Sequence, residues 1–152
     1  MLELAATAPE EAITELAAAV RAEQLLVGKT IADTALAREL EVSNDLGIGV
    51  AIPHARSADV RSPVVVIGRS EKGIVFSAHA AEPVRLIFLL VTPADEPEVQ
   101  GFLLGQLARI AGNASLRGRL LRAASAAEIA DVIAEVDPLV VKGASPAATD
   151  FI

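Results

Sequence analysis

Val84-Arg-Leu-Ile-Phe-Leu-Leu-Val91 is the stretch that decides the fold. It is apolar at every position but Arg85, and Pro83 on one side and Thr92-Pro93 on the other close it off. A run this short and this continuously apolar reads as a strand covered on both faces. Pro63-Val-Val-Val-Ile-Gly-Arg69 is a second of the same kind. A strand buried on both faces needs a layer over each, and amphipathic segments lie on either side in sequence. Thr7 and Glu10 have capping-box spacing, with Pro9 in the first turn, ahead of Ile13, Leu16, Ala17 and Val20 at helical intervals. Thr30 and Asp33 open a second helix with the stripe Ala32, Leu36 and Leu40. A third is expected from about Glu96 to Ala111, with Phe102, Leu103, Leu107 and Ile110 on one side and a stop at Gly112-Asn113. Leu116–Ala123 reads as a short helix, and Ser125 with Glu128 caps a last one carrying Ile129, Val132 and Ile133. Between the strands, Lys72-Gly73 reads as a turn, Ile74–Phe76 as a short edge strand and Val50–Pro53 as a strand end. Buried strands flanked by helices define a layered α/β domain.

The chain has 152 residues, which suits one domain. Hydrophobic residues make up 53% and aromatic ones only 3%, so the core is aliphatic. The Gly-, Pro- and Ala-rich stretch 138–152 reads as a flexible C-terminal tail after a domain spanning 1–137. A net charge of −7 opposes binding to a phosphate backbone or to anionic lipid. The absence of cysteine removes disulfides, thiolate metal sites and thiol catalysis. The N-terminus has no secretory signature, and the apolar runs are far shorter than the ~20 residues of a membrane helix. The expectation is a cytoplasmic domain that does not insert into a membrane.

Two histidines are present. His54 ends the run Gly47-Ile-Gly-Val-Ala-Ile-Pro-His54. Pro53 fixes its own backbone and restricts Ile52, and Gly47 and Gly49 permit positive φ or a close approach. Together they hold an imidazole at a strand end above a loop with N–H groups, a setting that suits an anion. An ordinary surface histidine is the competing reading. His79, in Ser77-Ala-His-Ala-Ala, reads as a solvated loop residue, and two histidines with no Asp/Glu pattern make a weak metal site. Arg38 and Glu39 close the second helix, where a solvated face is the ordinary expectation and a cation suits the helix end. Arg56 and Arg61 are surface charges or phosphate clamps. Gly47-x-Gly49 lacks the third glycine of a dinucleotide loop and the Lys-Ser/Thr of a P-loop, and no G-x-S-x-G elbow occurs.

Arg38-Glu-Leu-Glu-Val-Ser-Asn-Asp-Leu-Gly-Ile-Gly-Val-Ala-Ile-Pro-His54 resembles, without a gap, the R-E-x-x-x-S-T-G-I-G-x-G-I-A-I-P-H pattern of IIA domains of the sugar phosphotransferase system (PTS), in the fructose/mannitol and nitrogen-regulatory class. The resemblance continues through Pro63–Arg69, Gly73–Phe76, Pro83–Pro93 and Leu103–Ile110, and covers roughly residues 5 to 136. It implies a mixed sheet flanked by helices on both faces. It implies that His54 accepts a phosphoryl group from an HPr-like phosphocarrier, charged by enzyme I from phosphoenolpyruvate, and passes it to a IIB domain, with no metal or organic cofactor. It gives Arg38 the support of the phosphoryl group and places the loop N–H groups around Ser43, Asn44, Gly47 and Gly49 at its oxygens; Arg56, the candidate clamp close after His54, is counted with them. Three residues, in two places, depart from the pattern. Asn44-Asp45 stands where the family has Thr-Gly, and like charges ~4 Å apart at an effective dielectric near 20 repel by about 4 kcal/mol, so the direction Asp45 faces matters. Gln100 stands where the family carries a second histidine, and an amide neither carries charge nor shuttles a proton. These departures favour the alternative of a regulatory module that transfers weakly or not at all, such as a cytosolic domain attached to a membrane transporter of the cation–proton antiporter kind.

Overall fold

The computed structural model describes residues 2–20, 25–41, 43–125, 127–129, 131–133, 135 and 150–151. Its elements in chain order are β1 (Leu2–Glu3), α1 (Pro9–Ala18), α2 (Leu25–Glu41), β2 (Val50–Ala51), β3 (His54–Ser57), β4 (Val64–Ile74), β5 (Val84–Pro93), α3 (Pro97–Gly112), α4 (Ala114–Arg122) and β6 (Asp150–Phe151). The decisive run is the central strand. β5 lies antiparallel to β4 and parallel to β2 and β3, and the outer side of β4 takes β1 and β6 in parallel. The sheet is mixed, and the domain is layered α/β as expected.

Each face of the sheet carries its own core. Ile87, Leu89 and Val91 of β5, with Val64 and Val66 of β4, meet Ile13, Leu16 and Ala17 of α1 and Ile31, Ala32 and Ala35 of α2. Leu86, Phe88 and Leu90, with Val65 and Ile67, meet Leu103, Leu107 and Ile110 of α3, Leu120 of α4 and, beyond it, Ile129 and Val132. The strict alternation along β5 is the period-two geometry of a strand applied to a sequence apolar on both faces.

Several local expectations shift. The pair at the start of α1 is Thr7 with Glu11, not Glu10: the Thr7 N–H and hydroxyl donate to Glu11 Oε2 at 2.8 and 3.0 Å, and Ala8 is the N-cap. α2 is already helical at Leu25, so Thr30 lies inside it, where its carbonyl accepts from the Thr34 hydroxyl. Leu40 is 81% exposed rather than part of the buried stripe. Lys72-Gly73 does not reverse the chain. β4 runs through it to Ile74 with a register shift after Arg69, and the Gly73 N–H is held by the Ser70 hydroxyl at 3.1 Å. The capping pair of the last helix is present: Glu128 N–H donates to Ser125 Oγ, and Glu128 Oε2 accepts from Ala124 N–H. Of the stretch 138–152, positions 138–149 and 152 lie outside the described residues, and Asp150 and Phe151 stand beside Val64 and Val65.

Candidate functional site

β2 and β3 share one edge of β5 in one register, Val50 beside Leu86 and His54 beside Leu90, with Ile52-Pro53 as the only interruption. Pro53 has no N–H to give the ladder, but its carbonyl still accepts from Leu90 N–H at 3.0 Å. Alternation along this edge therefore carries across the proline. Val50 and Ile52 belong to the α3 face, Ala51 and Ala55 to the α2 face, so His54 and Arg56 fall on the α3 side. Because β3 is an edge strand, His54 is only half-buried and Arg56 is exposed.

His54 Nδ1 lies 3.1 Å from the carbonyl oxygen of Ile52. A carbonyl can only accept, so this hydrogen bond puts the proton on Nδ1 and leaves the Nε2 lone pair free. The backbone two residues back thus selects the tautomer, and the restricted Ile52-Pro53 link holds that carbonyl in place.

The loop ahead of β2 is built on Glu39. Its Oε1 accepts from the Ser43 hydroxyl at 2.9 Å, and its Oε2 accepts from Asn44 N–H at 3.0 Å and Asn44 Nδ2 at 2.6 Å. Glu39 is thus a structural clamp rather than a solvated end of the helix, and the side-chain donors of Ser43 and Asn44 are engaged with it. Asp45 turns back on its own loop, where Oδ1 accepts from Gly47 N–H at 2.8 Å; its Oδ2 is buried without a partner among the described residues. Asn44 carbonyl accepts from Ile52 N–H and Leu46 N–H donates to Val50 carbonyl, closing the loop on β2. Gly47 and Gly49 sit at φ 76° and 74°, the left-handed region that costs other residues about 1–2 kcal/mol. The N–H groups of Asn44, Asp45, Leu46 and Gly47 are all taken within the loop. The N–H groups of Ile48 and of the buried Gly49 have no hydrogen-bond partner among the described residues.

Arg38 is exposed on the last turn of α2, in the opposite layer, with no hydrogen bond or ion pair to the described residues. α2 packs along β3, so Arg38 and α3 stand on the two sides of one edge strand. Gln100 lies in the first turns of α3, 8% exposed, and its Nε2 has no partner among the described residues; Thr92 Oγ1, on the β5 residue beside Arg56, is likewise buried and unpartnered. His79 is exposed in the loop after β4, and its N–H donates to Ser77 Oγ. Arg61 is exposed in the bend before β4. No group of three or more His, Asp or Glu side chains among the described residues has the spacing of a metal site. No helix among them is long and apolar enough to cross a membrane.

The family model described as phosphoenolpyruvate-dependent sugar phosphotransferase system, EIIA 2, matches residues 1–136. The fructose-specific EIIA component of the PTS of Haloferax volcanii is 38% identical over 104 residues, 68% of this chain and 68% of that protein. The crystal structure of the nitrogen regulatory protein IIA-Ntr from Neisseria meningitidis superposes with a TM-score of 0.74 at 30% identity, covering 87% of this chain and 90% of that one. IIA mannitol from Escherichia coli, in its complex with phosphorylated IIB mannitol, shares the fold with a TM-score of 0.69 at 22% identity, over 89% of this chain and 93% of that one.

Proposed function

Because the chain belongs to the EIIA 2 family of the phosphoenolpyruvate-dependent sugar phosphotransferase system, we propose that His54 Nε2 is a phosphoryl acceptor and that the chain is a cytoplasmic relay between an HPr-like phosphocarrier and a IIB domain. The observation that carries the reading is the Nδ1 contact to the Ile52 carbonyl on a half-buried side chain, which in the uncharged ring leaves the lone pair on Nε2. Nε2 attacks phosphorus in line. As the Nε2–P bond forms, the bond from phosphorus to the donor's nitrogen breaks, and its electron pair stays on the donor. The Nδ1 proton remains on His54, where the Ile52 carbonyl stabilises the positive charge the ring acquires.

Such a transfer needs positioning and charge neutralisation more than acid–base chemistry. Arg38 supplies a guanidinium from the α2 side and Arg56 a second from β3, each suited to phosphoryl oxygens. Gln100 Nε2 supplies an uncharged donor from α3, and the Ile48 and Gly49 N–H groups are two more from the loop. Ser43 and Asn44 shape that loop through Glu39, and the Asp45 carboxylate is kept to itself by Gly47. No metal or cofactor takes part.

Intact mass after incubation with enzyme I, HPr and phosphoenolpyruvate at mildly alkaline pH tests the proposal. The wild type is expected to gain one phosphoryl group and His54→Gln none. The buried, uncharged Gln100 favours a second reading, a regulatory module that binds rather than relays, in cells a partner of or an appendage to a membrane transporter. No gain, while another IIA domain labels in the same tube, selects that reading over the relay.

A further inference from the structure

The geometry points to Glu39 as the positioning residue that sets the tautomer and orientation of His54, acting through Asn44 and Ile52. Glu39 Oε2 holds Asn44 twice, by its backbone N–H and its side-chain Nδ2. The carbonyl of the same Asn44 accepts from Ile52 N–H at 3.1 Å. The carbonyl of Ile52 takes His54 Nδ1, also at 3.1 Å. A carboxylate on the last turn of α2 is thus joined to the imidazole through two residues, each gripped on one side and gripping on the other.

The chemistry of each link fixes its direction. An ionised carboxylate only accepts, so it orients the Asn44 amide with nitrogen inward and draws both Asn44 donors to one point. Hydrogen bonds to a charged group are the stronger kind, and both Glu39 and Asn44 are partly buried, which limits competition from water. With Asn44 fixed, its carbonyl direction is fixed, and Ile52 is caught between that carbonyl and the proline that follows. Its own carbonyl then has one direction in which to meet the ring. The third contact, from the Ser43 hydroxyl to Oε1, keeps the carboxylate from rotating away. Glu39 touches neither the imidazole nor any reacting atom.

The rate consequence rests on His54 being the phosphoryl acceptor; the tautomer does not, and this separates the two claims. The test is the pair of ring-nitrogen shifts of His54 in ¹⁵N NMR at mildly alkaline pH, read beside the kinetics of phosphoryl uptake. Wild type is expected to hold the proton on Nδ1. Glu39→Ala is expected to mix the tautomers and to lower the uptake rate at saturating donor by about tenfold, with KM for the donor unchanged. Glu39→Gln is the conservative rescue. Its amide oxygen accepts both Asn44 donors and its nitrogen donates to the Ser43 hydroxyl, so tautomer and rate are expected to return close to wild type. Asn44→Ala, which keeps the backbone N–H bond and loses the side-chain one, is expected to fall between, and it carries the test if Glu39→Ala does not fold. A folded Glu39→Ala or Asn44→Ala with the wild-type tautomer, or a Glu39→Gln as impaired as Glu39→Ala, overturns the inference. A wild type that takes no phosphoryl group overturns the relay and leaves the tautomer result to decide this one.

Discussion

Single residues decide the site, and their legibility in sequence is uneven. His54 stands out because proline and two glycines crowd the residues before it, and Arg38 and Gln100 are legible through the family resemblance. Glu39 belongs to the same matched pattern, yet its role as a clamp is not legible there: a glutamate at a helix end is ordinarily solvated, and its partners lie across a turn that no periodicity describes. The same holds at the start of α1, where Glu10 had the expected capping spacing but Glu11 makes the bonds. The backbone N–H of Thr7, and then its hydroxyl, hold the Glu11 carboxyl below its ordinary value. A carboxyl with a folded-state pKa below the unfolded value of about 4.3 favours folding above that value. The contribution is lost as pH falls through the folded-state pKa. Glu11→Gln should therefore lower stability near neutrality and converge with wild type at the acid end of a urea-unfolding series. A gap between the two that stays constant down to the lowest pH would refute the assignment. At Gly49, φ 74° and a space of ordinary contact distances around the missing Cβ make the backbone the whole constraint. Gly49→Ala should cost about 1–2 kcal/mol in unfolding experiments, with Gly49→Asn milder because Asn tolerates the left-handed region.

At the scale of elements, the runs apolar on both faces are legible because a short, β-branched apolar run bounded by proline suits a covered strand better than a buried helix segment. The short pieces were not. β3 carries His54, Arg56 and Ser57 and looks like loop in composition; it is a strand only because β5 offers it an edge in continuous register with β2. The register shift between Arg69 and Ile74 is invisible for a similar reason: a turn and an irregular stretch of strand call for the same residues, and only the partner strand distinguishes them. Packing of α1 on the sheet hinges on a residue the strand pattern passes over. A Cβ on Gly68 would come within 2.8 Å of Leu16 Cδ2 and 2.9 Å of Leu4 Cδ1. Both are ends of side chains in the α1 core, already closely packed. Gly68→Ala is expected to destabilise by about 1–3 kcal/mol through overpacking. Combining it with Leu16→Ala should cost less than the sum of the two single changes, since the methyl fills part of the space that Leu16 vacates. Strict additivity in urea midpoints would show that Gly68 and α1 do not share that space.

Across the whole molecule, one edge of the sheet carries His54 and the other is closed by the ends of the described chain. His54 stands on the β3 edge. On the far side of β4, β1 pairs at Gly68 and Arg69 and β6 at Val64 and Val65, so the two ends of the described chain cover successive parts of a single edge. The composition of 138–152 reads as tail, and a two-residue strand leaves no pattern from which its pairing can be read. An uncovered edge offers unpaired N–H and carbonyl groups to other chains, which is the usual route to edge-to-edge association. A chain ending at residue 149 should therefore exchange the outward amides around Val64 and Val65 faster than the full sequence, and should self-associate more readily at high concentration. The row that joins Phe151 to Val65, Leu90 and His54 spans the sheet, so the far edge is in register with the site yet separated from it by two strands. Pairing at that edge fixes no atom of the His54–Ile52 contact. Phosphoryl uptake by the shortened chain is expected to match wild type while exchange at Val64 and Val65 rises; unchanged exchange would show that β6 does not cover the edge in solution, and a loss of uptake without unfolding would show that the two edges are coupled through β4 and β5.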